Sequence, residues 1–211
     1  MDKFVQIDTF NRFIRVSRET IRSLSKYEDM LRKANNKLNL VGNSTLDQIW
    51  TRHFLDSAQA IDFIDKNCNS LIDLGSGAGF PGLVLAIAAK DRKIPIKIEL
   101  IEKSPKKVKF LGEIIKQLNL NVKVLNHNVL EQQNKYMSDV FVARAFKPLK
   151  TILELIHNKT VNWKKILIFL GKTGQDELLQ ASKSWDIKYK QRVSVTSSDS
   201  IIIEINNLKK K

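Results

Sequence analysis

From Ser70 to the end of the chain, short aliphatic runs alternate with longer segments whose apolar residues recur at helical spacing. This alternation indicates a mainly parallel β-sheet with helices on both faces, joined by right-handed crossovers. The last two runs, 185–195 and 200–208, predict an antiparallel hairpin. We therefore expect an α/β fold over residues 68–211. The predicted strands are 70–74, 94–102, 121–126, 139–145 and 164–170, and the predicted helices are 81–90, 104–120, 148–158 and a segment from about 174.

The first 67 residues show a helical pattern and no strand pattern. Apolar residues from Phe10 to Leu31 recur at spacings close to three and four, which predicts one amphipathic helix. Ser44, with Asp47 three residues later, resembles a capping box that would start a second helix running to about Ile64. We therefore expect an N-terminal helical extension over residues 1–67, followed by the α/β domain over 68–211.

The composition, with 43% hydrophobic and 27% charged residues, is typical of a soluble globular protein. The apolar stretch 82–89 is much shorter than the roughly 20 residues of a membrane span, so we expect no membrane association. The charged N-terminus does not resemble a signal peptide, and the single cysteine, Cys68, favours a reducing, cytoplasmic location. Because the three histidines are scattered and no second cysteine exists, we also expect no metal.

The charge is strongly unbalanced, with 36 Lys and Arg against 22 Asp and Glu and a net charge of +14. An excess of this size favours an anionic partner, and nucleic acid is the first candidate. A lysine-rich proteome would produce the same excess without such a partner, so charge alone leaves both explanations open.

A glycine-rich turn follows the first predicted strand. Ligands of parallel sheets bind beyond the carboxyl ends of the strands, where Gly75, Gly77 and Gly79 would let a ligand approach bare backbone. The spacing of Gly77, Gly79 and Gly82 also matches the dinucleotide pattern GxGxxG. However, the turn already begins at Gly75, and Asp73 lies two residues earlier, inside the strand. The resulting D-x-G-x-G-x-G pattern resembles the opening of S-adenosylmethionine-dependent methyltransferases, whose cationic, phosphate-free cofactor suits a nearby acidic residue.

A second acidic residue, Glu102, stands at the end of the next predicted strand. In nucleotide-binding sheets this position accepts hydrogen bonds from ribose hydroxyls. The alternative is that Glu102 is an ordinary solvated turn residue. Ser104 and Pro105 predict the N-cap and first position of the following helix, and Pro81 suits the first turn of the preceding one.

A different loop, Gly171-Lys172-Thr173, copies the end of a phosphate-binding loop. The full motif needs a glycine five residues before Gly171, and that position is Ile166. The sequence therefore argues against nucleoside triphosphate binding.

Three segments occur in an order that resembles one family: NLVGNSTLDQIWTRHFLDSAQ (39–59), DLGSGAGFPGLVLAI (73–87) and VARAFKPL (142–149). Together they resemble the bacterial 16S ribosomal RNA guanine-N7 methyltransferases, the RsmG or GidB family, from Leu31 to the helix after Gly174. One departure is Ala34, which stands where the family usually has the tryptophan of a KWN motif. The resemblance implies a Rossmann-like class I methyltransferase fold and S-adenosylmethionine as cofactor. It also implies methyl transfer to N7 of the guanine at position 527 of 16S ribosomal RNA in the small ribosomal subunit.

The same resemblance implies a set of site residues. Beside Asp73, Gly77, Gly79 and Glu102, the expected cofactor contacts are Gly75, Phe80, Val129, Leu130 and Arg144, and Arg144 is the expected catalytic residue. Arg144 could hold the cofactor carboxylate or the RNA, or it could only pair with Asp73 or Glu102. Val129 and Leu130 would lie against an adenine, or they could be core residues alone.

Guanine N7 has a free lone pair, so its methylation needs alignment of nucleophile, methyl group and leaving sulfur rather than a general base. The absence of an evident nucleophile–base constellation agrees with this chemistry. His53 and Asp56 lie three residues apart and share a helix face, as a base–acid pair would. Because no base is needed, we predict that they tie the N-terminal helices to the sheet.

Basic residues cluster near the ends of the second and fourth predicted strands. They would bind phosphates of an RNA, although a solvated surface would show the same pattern. Phe146 could stack on an extruded base or belong to the core. The basic residues are Lys97, Lys103, Lys106, Lys107, Lys109, Arg144, Lys147 and Lys150.

Two other functions stay open at this point. The glycine loop alone would permit a methyltransferase for another RNA, a protein or a small molecule, but the charge and the 39–59 and 142–149 segments argue against it. A non-catalytic RNA-binding module on the same fold is the other, and the intact Asp73, glycine loop and Glu102 argue against it.

Overall fold

The computed structural model describes residues 2–211. The strands in this range are β1 (Ser70–Leu74), β2 (Lys97–Ile101), β3 (Val122–Leu125), β4 (Tyr136–Met137), β5 (Val140–Arg144), β6 (Thr160–Val161), β7 (Lys165–Leu170), β8 (Trp185–Ser194) and β9 (Ser197–Lys210). The α-helices are α1 (Lys3–Ile14), α2 (Arg18–Leu38), α3 (Asn43–Leu46), α4 (Asp56–Ala58), α5 (Gly82–Asp91), α6 (Pro105–Leu118), α7 (Leu149–Lys159) and α8 (Gly174–Ser182). A π-helix (Trp50–Leu55) precedes α4, and a 3₁₀-helix (Gln59–Phe63) follows it.

Seven strands form one sheet in the order β3-β2-β1-β5-β7-β9-β8. The first five are parallel, whereas β9 pairs antiparallel with both β7 and β8. The predicted α/β fold, with its parallel sheet, C-terminal hairpin and N-terminal helices, is therefore confirmed. The sequence did not predict the small second sheet, in which β4 pairs with β6.

The N-terminal amphipathic pattern forms two helices instead of the predicted one. Arg15 adopts a left-handed conformation with a φ of 50°, which ends α1. Two residues later Ser17 caps α2 by accepting a hydrogen bond from the Thr20 amide at 3.2 Å. Apolar periodicity alone did not reveal this break, because both helices turn their apolar residues toward the same core.

The predicted capping box at Ser44 is wrong. Gly42 is the N-cap of α3, Ser44 lies inside this short helix, and no side chain caps it. The Asp47 carboxylate instead faces the Arg32 guanidinium of α2 at 3.5 Å. The second predicted helix is present as far as Phe63, but it passes through π, α and 3₁₀ geometry.

The N-terminal helices share one hydrophobic core with a face of the sheet. Phe10, Tyr27 and Trp50 are almost completely buried together with Leu71 and Leu100 of the sheet. Ala34, at the position of the family's tryptophan, packs at the edge of this core. The opposite face of the sheet is covered by α7 and α8. None of the helices in residues 2–211 is both long and apolar enough to cross a membrane.

Candidate active site

A cavity of about 460 Å³ lies beyond the carboxyl ends of β1, β2 and β5. This is where a ligand of a parallel sheet is expected. Seven of the nine predicted cofactor contacts line it: Gly75, Gly77, Phe80, Glu102, Val129, Leu130 and Arg144. Asp73 and Gly79 do not line it, and both lie behind the cavity wall.

The three glycines of the turn all have positive φ angles, of 74°, 57° and 100° at Gly75, Gly77 and Gly79. At two of these positions, steric contacts within the protein are enough to explain why the residue is glycine. A Cβ at Gly75 would overlap the Phe146 ring, and a Cβ at Gly79 would lie 2.5 Å from the Tyr27 hydroxyl oxygen. Gly77 differs, because a Cβ there would point into open space, with Gly75 O the nearest atom at 3.9 Å. Gly77 is therefore the glycine that leaves room on the cavity side.

Glu102 holds the exposed part of this turn. Its Oε2 accepts a hydrogen bond from the Gly77 amide at 3.0 Å, and its Oε1 accepts one from the Ser104 amide at 2.8 Å. Only 7% of Glu102 is exposed, and the exposed part faces the cavity. Since each carboxylate oxygen has a second lone pair, Glu102 can still accept hydrogen bonds from a diol. Ser104 and Pro105 occupy the predicted N-cap and first position of α6, although the Ser104 side chain makes no capping bond.

Asp73 stabilises the turn from behind. It is fully buried, and its Oδ2 accepts a hydrogen bond from the Gly82 amide at the start of α5, at 3.0 Å. Its Oδ1 has no hydrogen-bond partner among residues 2–211. Burial raises the pKa of Asp73 to about 7, and the Glu102 charge contributes to the increase. The hydrogen bonds with Gly82 and Ser76 and the Arg144 charge lower the pKa and only partly offset this effect. Burial, and after it the nearby Asp73 carboxyl, raises the pKa of Tyr27, whose hydroxyl donates a hydrogen bond to the Ala78 carbonyl.

The raised pKa of Asp73 predicts a pH-dependent stability. Between the unfolded pKa of 3.8 and the folded pKa of about 7, the folded protein binds a proton that the unfolded chain has released. The stabilising contribution is therefore complete below pH 3.8 and is lost as the pH rises to about 7. In Asp73→Asn, urea unfolding between pH 4 and 8 should lack this decline, while the amide oxygen can still accept from Gly82. Parallel stability curves for both proteins would contradict the shift.

Arg144, at the end of β5, is held by the N-terminal helical segment. Its Nε donates to Asp56 Oδ2 at 2.8 Å, and its Nη2 donates to the Arg52 carbonyl at 2.8 Å. Arg144 and Asp56 are only 16% and 14% exposed. The pairing with Asp73 or Glu102 that the sequence left open is not observed, because Asp56 takes that role.

His53 lies beside the same guanidinium. Its Nδ1 is 3.4 Å from Arg144 Nη2, and its Nε2 is 2.8 Å from Thr45 Oγ1. A guanidinium only donates hydrogen bonds, so we assign the imidazole proton to Nε2, which donates to Thr45. Burial, together with the Arg144 and Arg52 charges, lowers the pKa of His53 to about 3, and the ring stacks on Phe80 at 4.9 Å. His53 is thus a neutral ring whose two nitrogens are both occupied.

Asp56 connects three parts of the chain. Besides Arg144, its carboxylate accepts hydrogen bonds from Ser194 Oγ at 3.0 Å and Thr196 Oγ1 at 3.1 Å, in the turn between β8 and β9. Gln59 donates to the same carboxylate at 3.0 Å. These contacts support the prediction that Asp56 and His53 tie the N-terminal helices to the sheet.

The rest of the cavity contains residues that the sequence did not single out. His127 Nε2 is 2.7 Å from the Tyr136 hydroxyl, and His127 and Asn128 form the wall next to Val129. Val129 is 2% exposed and belongs to the core, and it also lines the cavity. Its core role is therefore observed, and its contact with an adenine stays a prediction. Leu40 and Val41 also line the cavity. They belong to the 39–59 segment, which was the only signal in the sequence that could have identified them.

A second cavity, of about 550 Å³, adjoins the first. His53, Arg144 and Ala145 line both cavities and form the boundary between them. Ala145 has a φ of 48°, an uncommon conformation for a residue other than glycine, and such backbone strain is often found at functional sites.

The predicted basic cluster lies only partly at this edge. Lys103, Lys107 and Lys147 line the first cavity, and Phe146 lines it while packing against the core below. Lys106 and Lys109 are exposed on α6 and line neither cavity. Within residues 2–211, no group of three His, Cys, Asp or Glu side chains is placed to hold a metal ion.

Comparisons with known proteins agree with this geometry. The family model GidB, described as rRNA small subunit methyltransferase G, matches residues 20–204. The ribosomal RNA small subunit methyltransferase G of Pelagibacter ubique is 38% identical over 198 residues, which cover 93% of this chain and 92% of that protein. The protein of the same name from Dinoroseobacter shibae is 38% identical over 86% of this chain and 93% of its own length.

Solved structures show the same fold at low sequence identity. M. jannaschii TYW2 in complex with AdoMet has a TM-score of 0.54 and 17% identity, covering 77% of this chain and 78% of that one. M. capricolum TrmK in complex with S-adenosyl-homocysteine has a TM-score of 0.54 and 18% identity, covering 71% of this chain and 66% of that one. The predicted class I methyltransferase fold is confirmed. From the family match and the identity to these relatives over most of the chain, it follows that this protein belongs to the rRNA small subunit methyltransferase G family, GidB.

Proposed function

We propose that the protein transfers the methyl group of S-adenosylmethionine to N7 of one guanine in the 16S ribosomal RNA of the small ribosomal subunit. The observation that carries this proposal is that the two acid–base candidates next to Arg144, His53 and Asp56, are both engaged in hydrogen bonds. His53 has both nitrogens occupied, and Asp56 accepts hydrogen bonds from Arg144 and two hydroxyl groups. Neither is free to remove a proton, which suits a nucleophile that already has a lone pair, as guanine N7 does.

The first cavity fits the cofactor in its hydrogen-bond acceptors and its shape. Glu102 has free lone pairs for ribose hydroxyls, and Gly77 leaves the backbone open where a Cβ would otherwise project. Val129 and Leu130 offer an apolar surface for an adenine. The cofactor supplies an electrophilic methyl group on a sulfonium. We infer that Asp73 acts without touching it, by holding the Gly82 amide and so the shape of the turn.

Arg144 is the residue that we expect to meet both ligands. It lines both cavities, and two of its three nitrogens are fixed by Asp56 and the Arg52 carbonyl at 2.8 Å. Its Nη1 has only a 3.5 Å contact with His53 Nδ1, so it is the nitrogen with room for a ligand oxygen. The fixed guanidinium would thus align the reactants rather than move a proton.

The RNA is expected to approach over the basic edge of the first cavity. Lys103, Lys107 and Lys147 lie there, and the net charge of +14 favours a polyphosphate partner. We expect the activity to be cytoplasmic, where such a substrate is found in bacteria. An assembled small subunit and its free RNA are both possible substrates on this surface, and the assay below should therefore include both.

The test is methyl transfer from labelled S-adenosylmethionine to small subunits, and to their free RNA, taken from cells that lack the gene. After digestion, mass analysis of the nucleosides should find the label in 7-methylguanosine alone. A reaction with Gly77→Val protein serves as the matched blank. Label on an exocyclic amine, a ribose hydroxyl or a pyrimidine would refute the N7 assignment, and label in a small metabolite with none in RNA would refute the RNA substrate.

A further inference from the structure

The second cavity lies on the far side of Arg144 from the cofactor cavity, beyond the ends of β5, β7 and β9. Its walls carry three cations, Arg52, Arg144 and Lys172, and two carboxylates, Asp56 and Asp199. Asp56 is fully engaged with Arg144 and the hairpin turn. The Asp199 side chain is exposed, and within residues 2–211 it has no hydrogen-bond or ion-pair partner. It is therefore the carboxylate available to a ligand in this cavity.

We propose that the second cavity receives the target guanine and that Asp199 determines base specificity by accepting hydrogen bonds from the guanine N1–H and 2-amino group. The inference rests on the function proposed above, since it assumes that N7 faces the cofactor cavity. With N7 at the Arg144 boundary, the edge that carries N1 and the 2-amino group points away from it, toward β9.

The strand register places Asp199 at a suitable distance for this role. Arg144 of β5 is level with Phe169 of β7, which is level with Ile202 of β9. The β7–β9 ladder ends at the pair Leu170–Ile201, and Asp199 lies two residues beyond it, where β9 borders the second cavity. Two strand spacings separate β5 from β9 by about 10 Å, and Asp199 lies three residues beyond the level of Arg144, about 10 Å along the strand. The backbones at Arg144 and Asp199 are therefore about 14 Å apart, which leaves room for a purine ring system and its hydrogen bonds between them.

The charge of Asp199 selects among possible ligands. A carboxylate repels phosphates, so Asp199 is misplaced in a surface that only binds the RNA backbone, whereas Lys172 and Arg52 suit that purpose. A carboxylate can accept two parallel hydrogen bonds from the neighbouring N–H groups of guanine. Adenine presents an acceptor at N1 and has no 2-amino group. Its binding would remove water from the Asp199 carboxylate without replacing the lost hydrogen bonds.

The experiment compares guanine with inosine, which keeps N1–H and N7 but lacks the 2-amino group. Small-subunit RNA is assembled by ligation with guanosine or inosine at the methylated position, and kcat/KM is measured for both RNAs. We expect wild-type protein to prefer guanosine by about 10- to 100-fold, the effect of one charge-assisted hydrogen bond. In Asp199→Ala the activity on guanosine should fall by at least the same factor, and the preference should shrink to about onefold.

Asp186→Asn is the matched control, because Asp186 lies in β8 of the same hairpin, is exposed and lines neither cavity. It should leave both activity and preference unchanged, and thermal melting should show all three proteins folded. If wild-type protein prefers guanosine and Asp199→Ala keeps the full preference, the role of Asp199 is overturned while the proposed function stands. If wild-type protein methylates no guanine N7 at all, the proposed function itself fails.

Discussion

Gly77→Val is expected to abolish binding of S-adenosylmethionine while the protein stays folded. A Cβ at this position meets no protein atom closer than 3.9 Å, so the valine does not clash with the chain and instead fills the cavity. Because the φ at this position is 57°, the valine also adds backbone strain of about 1–2 kcal/mol, which lowers the stability of the fold and does not by itself weaken cofactor binding. Isothermal calorimetry should show at least a 100-fold loss of affinity, about 3 kcal/mol or more.

The control for this substitution is Gly112→Val. Gly112 lies in α6, where a Cβ would meet nothing within 4 Å, and it lines neither cavity. The Gly112→Val protein should bind the cofactor with wild-type affinity, although the valine lowers the stability of the helix. Gly77→Val with unchanged affinity and an intact circular dichroism spectrum would mean that the cofactor does not approach this part of the turn.

The second large effect is expected for Arg144→Ala, which should lower kcat for RNA methylation by at least 100-fold, about 3 kcal/mol in the transition state. The fold should survive, because Asp56 keeps its hydrogen bonds to Ser194, Thr196 and Gln59 after the guanidinium is removed. A loss of stability on the order of 1–3 kcal/mol is expected from the vacated partner. Single-turnover methylation and urea unfolding measure the two effects separately.

Arg144→Lys separates alignment from charge. It keeps the positive charge near Asp56 but cannot reproduce the planar contacts of the guanidinium to Asp56 and the Arg52 carbonyl. We expect it to recover most of the stability and little of the activity. Arg92→Ala, which removes an exposed pair with Asp62, should be close to wild type in both measurements. Wild-type turnover in Arg144→Ala would reduce the residue to a structural one.

The sites that follow one strand directly were predictable from the sequence. The turn from Gly75 to Gly79 and the acidic end of β2 at Glu102 depend on a strand, a tight turn and a helix that are contiguous in the chain. Local chemistry determines such units, since glycine at positive φ and proline at a helix start have few alternatives. The parallel sheet and its antiparallel hairpin could likewise be read from the alternation of segments.

The partners of these residues were decided by the tertiary structure. Arg144 pairs with Asp56, 88 residues away, and Tyr27 donates to Ala78, 51 residues away. The sequence suggested Asp73 or Glu102 as partners of Arg144, because it could not show that the helical segment after Trp50 packs across the end of β5. It also placed Asp73 near the ligand, whereas the fold buries the carboxyl behind the turn.

The sequence by itself thus determined the alternation of the main-sheet strands and their helices after Ser70, the glycine turn and the acidic residue after β2, since each depends on residues that are neighbours in the chain. Only the tertiary structure decided that Gly79 is needed for packing while Gly77 lines the cavity. It also decided that the N-terminal helix ends at Arg15 and that Arg144 and Asp199 lie at one edge of the sheet. These features depend on which distant segments meet when the apolar faces are buried. Burial is non-directional, so periodicity predicts which residues are inside and not which ones touch.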